Sequence, residues 1–168
     1  MSTIFIGLDL SLTSSGVVAI QDGKILLQKL VRPKGMEGRK KAKEILIIRN
    51  MIIDVVESIG LPRHRENIKI MIEDFAYGIL YMKVHGKPIC GSVFEIGGLG
   101  YAVQLRLLEL GYDYILTEPT TLKKFVTGKG NCKKDIMIKE TLKRWKVDFD
   151  SNDICDAYGL ARMREEIG

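Results

Sequence analysis

Short apolar runs with strand-like spacing open the chain, and helical spacing begins only after them. Residues 3–9 and Gly16-Val17-Val18-Ala19-Ile20 read as strands on either side of the turn-like Ser11-Leu12-Thr13-Ser14-Ser15. Gln21-Asp22-Gly23-Lys24 predicts a tight hairpin turn, because Asp-Gly supplies the positive φ such turns require. Ile25 to Val31 is then a third strand, broken by Arg32-Pro33-Lys34-Gly35. From about Glu37 to Ile59 the apolar positions Ile45, Ile48, Met51/Ile52, Val55/Val56 and Ile59 recur every three to four residues. They lie opposite Lys41, Arg49 and Asp54, which predicts an amphipathic helix stopped by Gly60-Leu61-Pro62. Ile68 to Ile72 is apolar apart from Lys69, the pattern of a strand covered on both faces.

Residues 76–93 show no period and read as a loop, or a short helix with loop, near the candidate site. Phe94 to Leu110 predicts a helix with Ile96, Leu99, Val103, Leu107 and Leu110 on one face, and Gly97, Gly98 and Gly100 allow a close backbone approach there. Tyr114 to Thr117 is a short strand, and Pro119-Thr120-Thr121 starts a short helix. A basic loop at 127–134 leads into a helix from Asp135 to Trp145. A last helix starts at Ser151 or Asn152, both good N-caps, and runs through Arg164. Three leading strands followed by alternating helices and strands indicate an α/β fold with a mixed sheet, in a single domain over 1–168.

Composition narrows the partners. The 26 Lys and Arg exceed the 21 Asp and Glu by five. Gathering acids into one buried cluster would leave the remaining surface more basic still, which favours polyanions as partners. The three cysteines form no C-x-x-C pair, which argues against a disulfide framework or a zinc site and for a reducing, cytoplasmic location. No signal peptide is read at Ile4-Phe5-Ile6, and no apolar stretch reaches the ~20 residues of a membrane span. Two histidines leave little material for His-rich metal sites or Ser/His catalysis.

The chemistry is in the acids. Asp9 ends the first apolar run, Glu73 ends the Ile68 run, and Asp153 and Asp156 stand three residues apart near the chain end. Carboxylates are depleted in strands and costly to desolvate without partners. Two strands ending in acids plus an i,i+3 pair make a cage of hard oxygen ligands suited to Mg²⁺ or Mn²⁺, two ions per site. Such a pair, about 3.5–4 Å apart, clamps both oxygens of a phosphodiester under attack. Without cations, four acids in one small volume repel one another. Blander readings stand beside each residue. Asp9 could cap the Ser11–Ser15 loop, Glu73 could face solvent, and Asp153 and Asp156 could serve the helix dipole. Asp74 and Asp150 are rivals, although period two sends Asp74 to the opposite face from Glu73. Lys129, Lys133 and Lys134 beside Gly128 and Gly130 suit phosphate contact. Phe75, Tyr77 and Tyr81 suit either base stacking or core packing, and Lys40, Lys41 and Lys43 read as solubilising.

Gly7-Leu8-Asp9-Leu10-Ser11-Leu12-Thr13-Ser14-Ser15-Gly16 resembles the first motif of the RuvC-type Holliday junction resolvases, a branch of the ribonuclease H fold. Glu73 is similar to that family's second acid, and Asp153 and Asp156-Ala157 to its closing acidic motif. Pro119-Thr120-Thr121-Leu122-Lys123-Lys124-Phe125 and Gly128-Lys129-Gly130-Asn131-Cys132-Lys133-Lys134 resemble its phage-encoded members especially, which would place the protein in a bacterial host cell. The resemblance covers nearly the whole chain. It implies a ribonuclease H-like fold with a mixed five-stranded sheet flanked by helices, and a homodimeric, Mg²⁺- or Mn²⁺-dependent endonuclease nicking two opposed strands of a four-way junction. Asp9, Glu73, Asp153 and Asp156 would be the metal ligands, and Lys124, Lys129, Lys133, Lys134, Phe75 and Tyr77 the DNA contacts. The chain departs from cellular members in having Leu10-Ser11 where they have Pro-Gly, and Phe75 and Tyr77 only bracket the place of their junction aromatic. That widens the expected substrate to branched DNA, including three-way forms and flaps. The competing classes are a non-cleaving branched-DNA binder, a ribonuclease H acting on RNA–DNA hybrids, and a kinase or ATPase of the actin and sugar-kinase type. The kinase class needs a second domain for which the chain is too short.

Overall fold

Every strand of the sheet owes its place to apolar residues that need cover on both sides. The computed structural model describes residues 2–36, 38, 40–59, 62–74 and 91–168. Strands β1 (Ile4–Asp9), β2 (Ser15–Gln21), β3 (Lys24–Val31), β4 (Ile68–Glu73) and β5 (Asp113–Thr117) form one five-stranded sheet in the order β3-β2-β1-β4-β5. The β3-β2-β1 half is an antiparallel meander, and β1, β4 and β5 run parallel. This is the mixed five-stranded sheet that the residues and the resemblance led us to expect. The hairpin between β2 and β3 turns at Asp22 (φ 50°) and Gly23 (φ 73°), both in the left-handed region, as the Asp-Gly pair required.

Helices cover both faces. On one, α1 (Lys41–Glu57) and α2 (Gly91–Glu109) bury Ile48, Ile52, Val56, Leu99, Val103 and Leu107 against Ile6, Leu8, Val17, Ala19, Ile70 and Ile72. On the other, α3 (Pro119–Thr127), α4 (Lys134–Trp145) and α5 (Asn152–Ile167) close over Val18, Ile20 and Met71. Among the described residues, no helix is long and apolar enough to cross a membrane.

Several boundaries differ from the sequence reading by a few residues, those of α1 for a local reason. Helix α1 starts at Lys41 and not at Glu37, because Gly38 is left-handed (φ 72°) and Lys40 is extended. At its other end, Ser58 Oγ donates to the Val55 carbonyl at 2.6 Å and closes the helix before Ile59. Helix α5 continues past Arg164 to Ile167, and its N-cap residue Ser151 makes no side-chain capping bond. Of the glycines expected to permit close helix approach, a Cβ added at Gly98 would stand 3.3 Å from Ile45 Cδ1 of α1, whereas one added at Gly97 would meet nothing within 4 Å. The loop reading for 76–93 lies outside the described residues up to Gly91, where α2 begins.

Helix α5 decides where the candidate site forms. A Cβ added at Gly7 would stand 1.9 Å from the Ala157 carbonyl oxygen, and one at Gly16 would stand 2.1 Å from that of Asp153. Only the bare glycine backbone lets α5 lie directly on β1 and β2. Its far end clasps the hairpin: Arg162 donates to the Gly23 carbonyl at 2.7 Å, and the Gly23 N–H donates to Glu165 at 3.0 Å. Arg162 also donates to the Tyr158 hydroxyl at 2.7 Å, so one side chain ties the last turns of α5 to β2 and β3.

Candidate active site

Asp9 and Glu73 are the final residues of two adjacent parallel strands, one step beyond the Leu8–Ile72 pairing. Strand alternation sends both side chains to the α5 face, the same face as Gly7 and Met71. Asp153 and Asp156 occupy the first turns of α5, which the Gly16 contact holds against the start of β2. Since Gly16 pairs with Asp9, all four acids gather at the carboxyl end of the parallel strands. Open α/β sheets place their functional clefts at that edge.

Charge ties the four together. Burial pushes the Asp9 carboxyl far above its ordinary range, and repulsion from Glu73, Asp156 and Asp153 adds to the rise. Glu73 is also raised, first by burial and then by Asp156, while a hydrogen bond shared with Asp9 works the other way. Asp156 is raised from 3.8 to about 6, with burial the largest cause, Lys134 and Lys123 opposing it, and Asp153 adding to it. The metal-free cluster therefore holds protons more tightly than free carboxyls do, Asp9 and Glu73 above all.

The rival readings of these acids find less support. The Ser11–Ser15 loop satisfies itself: the Ser11 N–H donates to Ser15 Oγ at 2.9 Å, and Ser15 Oγ donates to the Ser11 carbonyl at 2.8 Å. It needs no cap from Asp9. Asp153 is among the leading charges acting on both Asp9 and Asp156, whereas Asp150 is exposed. Cys155, between the two α5 acids, belongs to the core, where its Sγ lies 3.4 Å from Thr141 Oγ1.

The basic residues divide. Lys134, the first residue of α4, acts on both Glu73 and Asp156. Lys129 and Lys133 are exposed in the preceding loop, which Gly128 opens in the left-handed region (φ 78°). Lys124 is exposed on the outside of α3, and the lysine whose charge reaches the acids is its neighbour Lys123. The sequence reading passed over Lys123, although a signal was present. With Leu122 and Val126 marking the buried side of α3, 3.6 residues per turn put Lys124 about 180° away and Lys123 at the edge of the buried stripe. Phe75 and Tyr77 lie outside the described residues.

The donor set fits a hard divalent cation: every candidate ligand is a carboxylate, and a positive ion would relieve the repulsion that raises their pKa values. Among the described residues, no three His, Cys, Asp or Glu side chains already stand in a metal-binding arrangement, so the acids form a cluster and not a closed cage.

No protein-family model matches the chain, and no curated protein matches it in sequence. Solved structures do match. The Thermus thermophilus RuvC structure superposes with a TM-score of 0.66 at 17% identity, over 95% of this chain and 91% of that one. T. thermophilus RuvC in complex with Holliday junction substrate gives 0.64 at 15% identity, over 95% and 90%. At these identities the likeness is one of fold, and it spans almost the full length of both chains. The chain has a RuvC-like form of the ribonuclease H-like fold.

Proposed function

We propose that this protein is a metal-dependent endonuclease that resolves Holliday junctions and related branched DNA by nicking opposed strands. The observation that carries this reading is the convergence of Asp9, Glu73, Asp153 and Asp156 at one sheet edge, with three of them raised in pKa by burial and mutual repulsion. A pure binding module gains nothing from a cluster that destabilises its own fold and repels phosphate. Similarity in fold to a RuvC, which has been captured with a Holliday junction substrate, points to the substrate class.

The four acids would hold two Mg²⁺ or Mn²⁺ ions. When bound, those ions acidify a water for attack and neutralise the charge that develops on the departing oxygen. Lys123 and Lys134, on separate helices beside the acids, would hold the non-bridging oxygens of the scissile phosphate. The anchoring of α5 on Gly7 and Gly16 keeps Asp153 and Asp156 at a fixed distance from the strand-borne acids.

A homodimer suits two opposed cuts, because a two-fold pair presents two acid clusters to a two-fold junction. An apolar stripe on α2 supports this. Phe94, Tyr101, Leu105 and Leu108 are 69%, 56%, 61% and 57% exposed and fall on one helix face. Contiguous exposed apolar surface of this kind marks interaction sites.

The test is cleavage of an end-labelled four-way junction beside a linear duplex, a flap, a three-way form and an RNA–DNA hybrid. Mg²⁺, Mn²⁺ and EDTA are compared for the native chain and Asp156→Asn. Paired nicks near the branch that vanish with EDTA and in the variant are expected. Tight junction binding with no nick under either metal would refute the enzyme, and cutting confined to the hybrid would make it a ribonuclease H.

A further inference from the structure

A cleft of about 470 Å³ opens between the end of β3 and the C-terminal half of α1, on the sheet face opposite α5. Lys29, Arg32 and Lys34 line it together with Met51, Asp54 and Val55. These three cations have no part in the acid cluster. Lys29 sits two residues before the buried Val31 and so faces α1 with it. Among the described residues none of the three forms an ion pair, even with Asp54 in the same cleft. Arg32 Nε donates to Ser14 Oγ at 3.4 Å, which lays the guanidinium against the loop that follows Asp9.

Register places the cleft at the acids' end of the sheet. Asp9 pairs with Gly16, Gly16 with Leu30, and Ser15 with Val31. Two strand spacings, roughly 10 Å, therefore separate the Asp9 backbone from the end of β3. Asp54 and the C-terminal end of α1 oppose an anion deep in the cleft. A small free anion seated there would meet those negative groups, whereas a polyanion passing along the rim meets the three cations first.

We propose that the rim formed by Lys29, Arg32 and Lys34 is a second backbone-binding site, which takes phosphates of a duplex arm that flank the one cut at the acids. This rests on the nuclease reading above. Together with Lys123 and Lys134, on helices of the other sheet face, it gives the arm two separated footholds.

The test is binding of a labelled four-way junction in Ca²⁺, followed by fluorescence anisotropy from about 50 to 200 mM salt. The variant Lys29→Gln/Arg32→Gln/Lys34→Gln is compared with Lys24→Gln/Lys139→Gln/Lys146→Gln, which loses the same charge elsewhere on the surface. In the rim variant the slope of log affinity against log salt should fall by about two to three, with at least a ~tenfold loss of affinity. The comparison variant should lose less than about one in slope. Lys34→Gln alone, in an exposed loop, should lose about one with unchanged thermal unfolding, and Asp54→Asn should tighten binding. Equal losses in the two triple variants, or a native slope in the rim variant, would overturn the site. No binding by the native protein at all would overturn the nuclease reading, and the rim with it.

Discussion

Replacing Asp156 by Asn should stabilise the metal-free protein while abolishing nicking. The Asp156 carboxyl is raised from 3.8 to about 6 in the folded chain. At about 1.4 kcal/mol per unit, its ionised form costs the fold about 3 kcal/mol at neutral pH. An uncharged amide of nearly the same shape removes that cost and lessens the repulsion on Glu73, but its NH₂ group needs a partner, which returns about 1 kcal/mol. The net gain of about 2 kcal/mol corresponds to a rise in Tm of roughly 4–8 °C for a domain of this size. The pH dependence is the sharper criterion. Because the folded pKa lies above the unfolded one, the folded state binds more protons than the unfolded chain between them. The stability this contributes is complete below about pH 4 and is lost as pH rises through about 6. The variant lacks that loss but keeps the cost of its amide, so it should be up to about 1 kcal/mol less stable than the native chain at pH 4 and below and about 2 kcal/mol more stable by pH 7. Thermal unfolding by circular dichroism in EDTA across this range measures it. Saturating Mg²⁺ should then raise the Tm of the native chain by more than that of the variant. A variant no more stable than the native chain at pH 7, or a gap independent of pH, would refute the electrostatic account of the cluster.

Other outcomes follow from the same structure. Gly7→Ala places a methyl group 1.9 Å from the Ala157 carbonyl oxygen and should destabilise the fold by about 3 kcal/mol or more in urea unfolding, since backbone cannot give way cheaply. Lys123→Gln should weaken junction binding and lower the salt slope by about one, and Lys124→Gln should do so less; equal losses would contradict the assignment of Lys123 to the scissile phosphate. Leu105→Glu, which puts a charge in the exposed α2 stripe, should yield a folded monomer in sedimentation and suppress paired nicking more than single nicks. Arg162→Met removes the clasp on the Gly23 carbonyl and should speed amide exchange at the β2–β3 turn before the core opens.

Local pattern determined much of this protein. The β2–β3 turn follows from Asp22-Gly23 because few other residues tolerate positive φ there. The strands follow from short apolar runs, and the acids stood out because Asp9 and Glu73 end strands and Asp153 and Asp156 stand three residues apart. Lys123 was also within reach of the 3.6-residue period, though it was passed over for Lys124. The sequence by itself carried no statement of which elements lie side by side. That β1 and β4 are parallel neighbours, so that Asp9 and Glu73 share a hydrogen bond, is a property of the sheet order. The roles of Gly7 and Gly16 emerge only from contact with α5, because a glycine in a strand shows no sign of what presses against it. Arg32 and Lys34 read as a break after the strand that holds Lys29, and the three became a charged rim only when α1 was laid beside β3. Periodicity acts through a residue's own neighbours along the chain, whereas repulsion, close approach and clefts depend on residues far apart in sequence and near in space.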